Sequence, residues 1–212
     1  MSSVEIVQAE AKKAIHGMHG WCSDEKSDKL VELIVNEKLE TLCEIGVFAG
    51  KSVVPQALAL KANGKGVIFG IDPWQNDAAL EEMIHEDNKK WWSNLDLEDI
   101  YRHCIASLER NGVLQYCRLI RNKSENIVDQ FADNSIDLLH IDGNHSEALS
   151  YKDATLYLPK VKPNGFIVFD DIWWTEEDNY VTTRKAILYL LESCDKVDIV
   201  NNDCLILKKR VI

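Results

Sequence analysis

Short apolar runs alternate with amphipathic stretches along this chain, the pattern of an α/β fold. Residues 4 to 16 and a stretch opened by Ser23-Asp24 read as two helices, the second with Leu30, Val31, Leu33, Ile34, Val35 and Leu39 forming a wide apolar face. The run Thr41-Leu42-Cys43-Glu44-Ile45 predicts a first strand, residues 52 to 62 a helix ended by Asn63-Gly64, and Val67-Ile68-Phe69-Gly70-Ile71 a second strand. Pro55 is tolerated because it falls in the first turn of its helix. Leu95 to Leu108 reads as an amphipathic helix, Tyr116 to Ile120 as a third strand, and Ser124 as the cap of a helix running to Phe131. Ser135 to Ile141 predicts a fourth strand with a helix to about Leu158, and Phe166-Ile167-Val168-Phe169 a fifth strand after the Pro163-Asn164-Gly165 turn. Residues 181 to 193 predict a last helix, and 197 to 200 with 204 to 207 an antiparallel hairpin across Asn201-Asn202-Asp203. Strands joined through helices become parallel neighbours with right-handed crossovers. The expectation is one domain over residues 1–212: a seven-stranded, mostly parallel sheet with helices on both faces, N-terminal helices in residues 1–39 and a C-terminal antiparallel hairpin.

Composition narrows the class. At 212 residues, with 46% hydrophobic and 28% charged, the chain has globular values and the length of one domain. A formal net charge of -11 and a sequence pI of about 5.0 argue against a nucleic-acid backbone or an anionic membrane as main partner. The six cysteines show no Cys-x-x-Cys pair and no metal spacing with histidine, so they read as buried free thiols in a reducing compartment. The start lacks a basic and apolar leader, and no apolar run has membrane-span length, so a cytoplasmic location is expected. Residues 75 to 93 exceed what a simple connection needs and read as a cap beside an active site, packed down by Trp91 and Trp92. A second loop, 172 to 180, carries Trp173 and Trp174, which either wall a ligand or anchor the core. The partner expected is a small molecule, with self-association into a homo-oligomer left open.

Two constellations carry candidate chemistry. The first is the turn Glu44-x-Gly46-x-x-x-Gly50-x-Ser52, where glycines remove Cβ atoms and the next helix turns its free N–H groups toward an anion, phosphate or carboxylate. Position 48 is not glycine, against the dinucleotide pattern, and position 45 is isoleucine where a P-loop would need its first glycine. Asp72, 26 residues beyond Gly46 at the end of the second strand, could accept two hydrogen bonds from a ribose, or simply open a turn before Pro73. The second constellation is Asp142 and Asp170-Asp171 at the ends of strands four and five, on one rim of the sheet. Carboxylates gathered there repel unless a cation intervenes, and an oxygen-only set favours Mg²⁺. His145, three residues past Asp142, is placed to act as a base. Taken singly, these acids also read as caps or solvated turns, and His145 as a surface residue.

The glycine turn resembles the first motif of class I S-adenosylmethionine-dependent methyltransferases. Asp142-Gly143-Asn144-His145 together with Phe166-Ile167-Val168-Phe169-Asp170-Asp171 resembles the metal-dependent O-methyltransferases, closest to the macrocin and mycinamicin type branch and more distantly to the catechol enzymes. The likeness covers roughly residues 40 to 175. It implies a Rossmann-like fold in which Gly46, Gly50 and Ser52 hold the methionine end of S-adenosylmethionine, with Glu44 near its amino group. Asp72 would bind the ribose and Ser124 lie beside the adenine. Asp142, Asp170 and Asp171 would bind Mg²⁺, with Asp142 also next to the cofactor, and His145 would deprotonate a hydroxyl of a sugar-like or phenolic acceptor. The catechol branch has lysine as base and asparagine as third ligand, where this chain has His145 and Asp171; the sugar branch often has glutamate where this chain has Asp170. Three alternatives stand beside this reading: a metal-independent methyltransferase, a non-catalytic S-adenosylmethionine-binding protein, and a nucleotide-sugar or nicotinamide protein.

Overall fold

A computed structural model of the chain describes residues 2–176 and 180–211, so positions 177 to 179 of the loop over 172 to 180 lie outside the described residues. The chain opens with α1 (Ser3–Ile15), fixed by a capping box between Ser2 and Glu5, and α2 (Asp24–Asn36), whose Ser23 side chain accepts from the Lys26 N–H. After β1 (Thr41–Ile45), α3 (Val53–Asn63) ends on Gly64 in the left-handed conformation, and β2 (Val67–Ile71) follows. The expected cap holds two short helices, α4 (Asn76–Ala79) and α5 (Glu86–Ser93). Then come α6 (Leu97–Arg110), β3 (Cys117–Ile120), β4 (Ile136–Ile141), α7 (Glu147–Tyr157), β5 (Val161–Phe169), α8 (Arg184–Leu191), β6 (Cys194–Val200) and β7 (Cys204–Lys209).

The strands form one sheet in the order β3-β2-β1-β4-β5-β7-β6, with β3 to β5 parallel and β7 antiparallel to both β5 and β6. This is the expected seven-stranded, Rossmann-like arrangement with its terminal hairpin. One face is covered by α1, α2, α3 and α6, whose Ile15, Leu30, Ile34, Leu60 and Leu108 are buried; the other carries α7 and α8 over Ile136, Tyr157 and Leu190. All six cysteines are buried free thiols, as their scatter suggested. No helix among the described residues is long and apolar enough to cross a membrane.

Three element expectations need correction. Ser124 caps no helix: residues 124 to 130 make two tight 3₁₀ turns, Ser124–Asn126 and Val128–Gln130. The turn expected at Pro163-Asn164-Gly165 lies inside β5, accommodated where the β4–β5 register shifts between Ile136 and Leu138. The last helix is shorter than residues 181 to 193, because Thr182 and Thr183 spend their hydroxyls on the His145 and Asp171 carbonyls before α8 begins.

The register of the sheet builds the site. Ile71, Ile45, Ile141 and Phe169 are paired across four adjacent strands, so the next residues, Asp72, Gly46, Asp142 and Asp170, stand side by side on one rim. Backbone bonds carry the ladder one step further: Gly46 N–H to Ile71 O at 2.9 Å, Asp142 N–H to Ile45 O at 2.8 Å, and Asp170 N–H to Ile141 O at 3.1 Å.

Candidate functional site

A cavity of about 790 Å³ opens above this rim, outside the carboxyl ends of the parallel strands where the order reverses between β1 and β4. Gly46, Ser52, Asp72, Ser124, Asp142, His145, Asp170 and Asp171 line it, so most of the residues singled out in the sequence converge on one space. Glu44 and Gly50 do not.

Each glycine has a packing reason. A Cβ on Gly46, at φ +86°, would lie 1.9 Å from the Asp142 carbonyl oxygen, so the side-by-side approach of the β1 and β4 ends demands glycine. A Cβ on Gly50, at φ +80°, would meet Cys104 Sγ at 2.7 Å, so contact with α6 requires glycine here as well. The position that lacks the third glycine, Phe48, takes a left-handed φ of +50° all the same. Asp72 holds it there: one oxygen accepts the Val47 and Phe48 N–H groups at 3.0 and 2.9 Å, the other the Trp74 N–H at 2.7 Å, while Trp74 Nε1 donates to Phe48 O at 2.8 Å. Burial raises the pKa of Asp72, against the pull of those backbone donors.

Below the cavity lies a buried charge network that the sequence only half disclosed. Glu44, expected near a cofactor amino group, is fully buried and accepts from Ser52 Oγ at 2.5 Å, from Gln56 Nε2 and from the His140 ring at 3.0 Å. Ser52 reaches the cavity wall, but its hydroxyl is committed to Glu44. His140, paired with Glu44 across the β1–β4 ladder, turns its second nitrogen to Asp170 Oδ2 at 2.7 Å. Burial opposes a charged imidazole, yet Glu44 and Asp170 raise its pKa to about 10. A lone glutamate and a lone histidine in apolar strands were the available signal, since buried charges survive only in pairs.

Lys26 closes the network. Its ammonium, delivered from α2, contacts Asp170 Oδ2 and lies 3.3 Å from Asp142 Oδ2 and 3.5 Å from Trp21 O. Burial would lower the pKa of Lys26, but Asp142 and Asp170 hold it well above the ordinary lysine value. Asp170 is held well below the usual carboxylate range: burial is outweighed by Lys26 and His140. Asp142, where burial dominates, is raised.

Asp142, Asp170 and Asp171, expected to close on one divalent ion, do not form a single cluster of donors around an open gap. An ammonium occupies the gap between Asp142 and Asp170, and Asp171, at a left-handed φ of +54°, faces His145 instead. His145 Nε2 is 2.9 Å from Asp171 Oδ2 and 3.8 Å from Asp142 Oδ1, without an aligned hydrogen bond to either. Asp171 draws the histidine pKa upward against burial. Single donor atoms of Asp142, His145 and Asp171 do lie within 4.8 Å of one another, as do those of His140, Asp142 and Asp170, but the latter set is the one Lys26 fills. A dication would stand beside Lys26 and protonated His140, whose like charge opposes it against the attraction of the surrounding carboxylates.

Ser124 faces the cavity, where its hydroxyl donates to Asp153. Asp153, unnoticed in the sequence, is buried in α7 and burial raises its pKa to about 7. Residues of the 75 to 93 stretch, among them Gln75, Ala79, Glu81 and Trp91, line the opening. Glu176 accepts the Ile84 and His85 N–H groups at 3.1 and 2.7 Å and Trp174 Nε1 at 2.9 Å, while Asn144 Nδ2 donates to Glu81 O at 2.8 Å. Trp174 stacks on His145 with centroids 4.8 Å apart, and Trp173 points outward, 58% exposed. Trp91 and Trp92 lie against Phe48 of the glycine turn, with ring centroids 6.2 and 5.7 Å away, and Trp21 joins them, 5.4 Å from Trp91.

A family model described as a methyltransferase domain matches residues 43–172, more than half of the chain. Among curated proteins, the uncharacterized protein y4gI of Sinorhizobium fredii (strain NBRC 101917 / NGR234) is 27% identical over 103 residues; these cover 49% of this chain and 10% of that protein, so the chain spans about a tenth of the relative's length. Among solved structures, the O-methyltransferase TomG from Streptomyces achromogenes, involved in tomaymycin synthesis and in complex with SAM, is similar at a TM-score of 0.66 and 16% identity, covering 100% of this chain and 91% of that one. An O-methyltransferase from Bacillus cereus in complex with SAH is similar at 0.66 and 15%, with the same coverage. At such identities the likeness is one of fold.

Proposed function

The chain belongs to the methyltransferase domain family, and from that premise we propose that it moves the methyl group of S-adenosylmethionine to a hydroxyl of a small molecule held under the cap. The observation that carries this reading is the shared rim: the glycine turn with Asp72 on one side of the cavity, and the His145–Asp171 pair on the other. S-adenosylmethionine supplies a sulfonium methyl carbon already reactive toward oxygen. Gly46 gives the methionine end backbone access, Asp72 keeps one lone pair on Oδ1 for a ribose hydroxyl while it fixes the turn, and Ser124 with Asp153 offers polar groups to an adenine edge. His145 takes the proton of the acceptor hydroxyl as the oxygen bonds to the methyl carbon and the carbon–sulfur pair stays on sulfur. Asp171 then steadies the imidazolium, and Trp174 stacked on the ring limits its motion. The cap and its clasp through Glu176 exclude water and seat the acceptor. No step runs through Mg²⁺, because Lys26 already stands between Asp142 and Asp170.

The test is transfer of label from S-[methyl-³H]adenosylmethionine to a panel of sugar-like and phenolic alcohols, with the His145→Ala variant alongside. Loss of one general base lowers turnover by about 10²- to 10⁴-fold, with cofactor affinity unchanged. Because Asp171 raises the imidazole pKa, the wild-type rate should climb as pH passes above the ordinary histidine value. Turnover by His145→Ala at the wild-type rate would remove the histidine from the mechanism.

A further inference from the structure

We propose that Lys26 is a built-in cation: its ammonium takes the place a divalent ion would hold between Asp142 and Asp170, so that the site works without metal and loss of Lys26 opens a divalent-cation site. This rests on the methyltransferase reading for its consequence but not for its geometry.

The ammonium is placed by construction. Lys26 lies in the first turn of α2 with Leu30 and Leu33 one and two turns on, so it shares the buried face of that helix, and its side chain is only 10% exposed. The helix cannot easily swing away. Lys29 on the same helix is 3.1 Å from Asp198 of β6, and Asn201 Nδ2 donates to Ser23 Oγ at 2.6 Å. The three N–H donors of the ammonium have three acceptors, the oxygens of Trp21, Asp142 and Asp170. Asp170 Oδ2 also receives the His140 ring at 2.7 Å, so the lone pairs of that oxygen are taken by two protein cations and none is left for a metal. Mg²⁺ demands six oxygens at about 2.0–2.1 Å in an octahedron, and it could reach Asp170 Oδ2 only by expelling Lys26 or His140. The remaining donors, Asp142 Oδ1, His145 Nε2 and Asp171 Oδ2, border the ammonium's own partner Asp142 and feel its charge. An ammonium tied to the backbone is permanent, whereas a bound ion is lost to chelation. The enzyme is thereby independent of metal supply.

The experiment is Mn²⁺ titration of the full chain followed by electron paramagnetic resonance, with thermal unfolding of the same samples. Wild-type protein should leave the free Mn²⁺ signal intact and unfold at one temperature with or without EDTA. Lys26→Ala should bind Mn²⁺ about a hundredfold more tightly, as removal of a like charge a few ångströms away allows, and its unfolding temperature should rise with added Mn²⁺. Wild type binding Mn²⁺ as tightly as the variant overturns the proposal, as does wild-type methyl transfer abolished by EDTA and restored by Mn²⁺. If Lys26→Ala does not fold, Lys26→Met is titrated in its place, and the wild-type arm alone still decides against the proposal if it binds. Failure of the wild type to bind S-adenosylmethionine, with the Mn²⁺ results as expected, would sink the methyl-transfer reading and leave Lys26 in its role.

Discussion

Replacement of His140 by leucine probes what ties β1, β4 and β5 together beneath the cavity. The imidazole is fully buried and bridges Glu44 at 3.0 Å and Asp170 at 2.7 Å. Leucine fills the space but strands two carboxylates against an apolar side chain, and removal of one partner from a buried pair costs about 3–5 kcal/mol. In a chain of this size 1 kcal/mol moves the unfolding midpoint by about 2–4 °C, so the midpoint should fall by roughly 6–20 °C. The pH dependence is the sharper signature. Although burial favours the neutral ring, Glu44 and Asp170 raise its pKa from 6.5 to about 10. A cation whose pKa is raised by folding contributes stability that is fully present below about 6.5 and lost as pH rises through about 10. The difference between the two values corresponds to at most about 5 kcal/mol. Thermal unfolding followed by circular dichroism between pH 6 and 10 should show the wild type losing its advantage over His140→Leu as pH climbs. Parallel curves, or a variant within about 1 kcal/mol of wild type at pH 6, would refute the charged bridge.

Other consequences are as direct. Gly46→Ala places a Cβ 1.9 Å from the Asp142 carbonyl oxygen, whereas Gly64→Ala, at φ +74°, meets nothing within 4 Å; the second should lose about 1 kcal/mol in chemical denaturation and the first several times more. Burial raises the pKa of Asp153 from 3.8 to about 7, so the folded state binds its proton more firmly and wild-type stability should decline as pH rises across that window, by at most about 4 kcal/mol. Asp153→Asn should flatten the decline in a denaturant series at several pH values. Glu176→Ala removes the acceptor of the Ile84 and His85 N–H groups, and hydrogen exchange at those two amides should accelerate while that of β4 stays unchanged.

How much of this was legible in the chain follows from the range of each interaction. The alternation of apolar runs and helical faces is local, and it yielded the seven strands, the crossover topology and the hairpin. Acids at strand ends were equally plain, because a parallel sheet puts the ends of its strands on one rim, and Asp72, Asp142 and Asp170 stand there. What escaped was charge compensation. Lys26 meets Asp170 across 144 positions of sequence, and no local pattern says which of the two lysines on α2 turns inward, although the spacing of Lys26 from Leu30 and Leu33 was a hint. His140 was overlooked because an apolar strand was read for its pattern and not for its exceptions. The close approach of Cys104 to Gly50 was not legible either, because it is fixed only by how α6 packs.

On the function proposed, the rim formed by Gly46, Asp72 and Asp142 binds the adenosyl cofactor of a methyltransferase. Calorimetric titration of the full chain with S-adenosylhomocysteine tests it most directly. Saturable binding is expected at one site, weakened about tenfold or more by Asp72→Asn, which releases the Phe48 turn and removes the charge facing a ribose. Absence of saturable binding, or affinity untouched in Asp72→Asn, would contradict it.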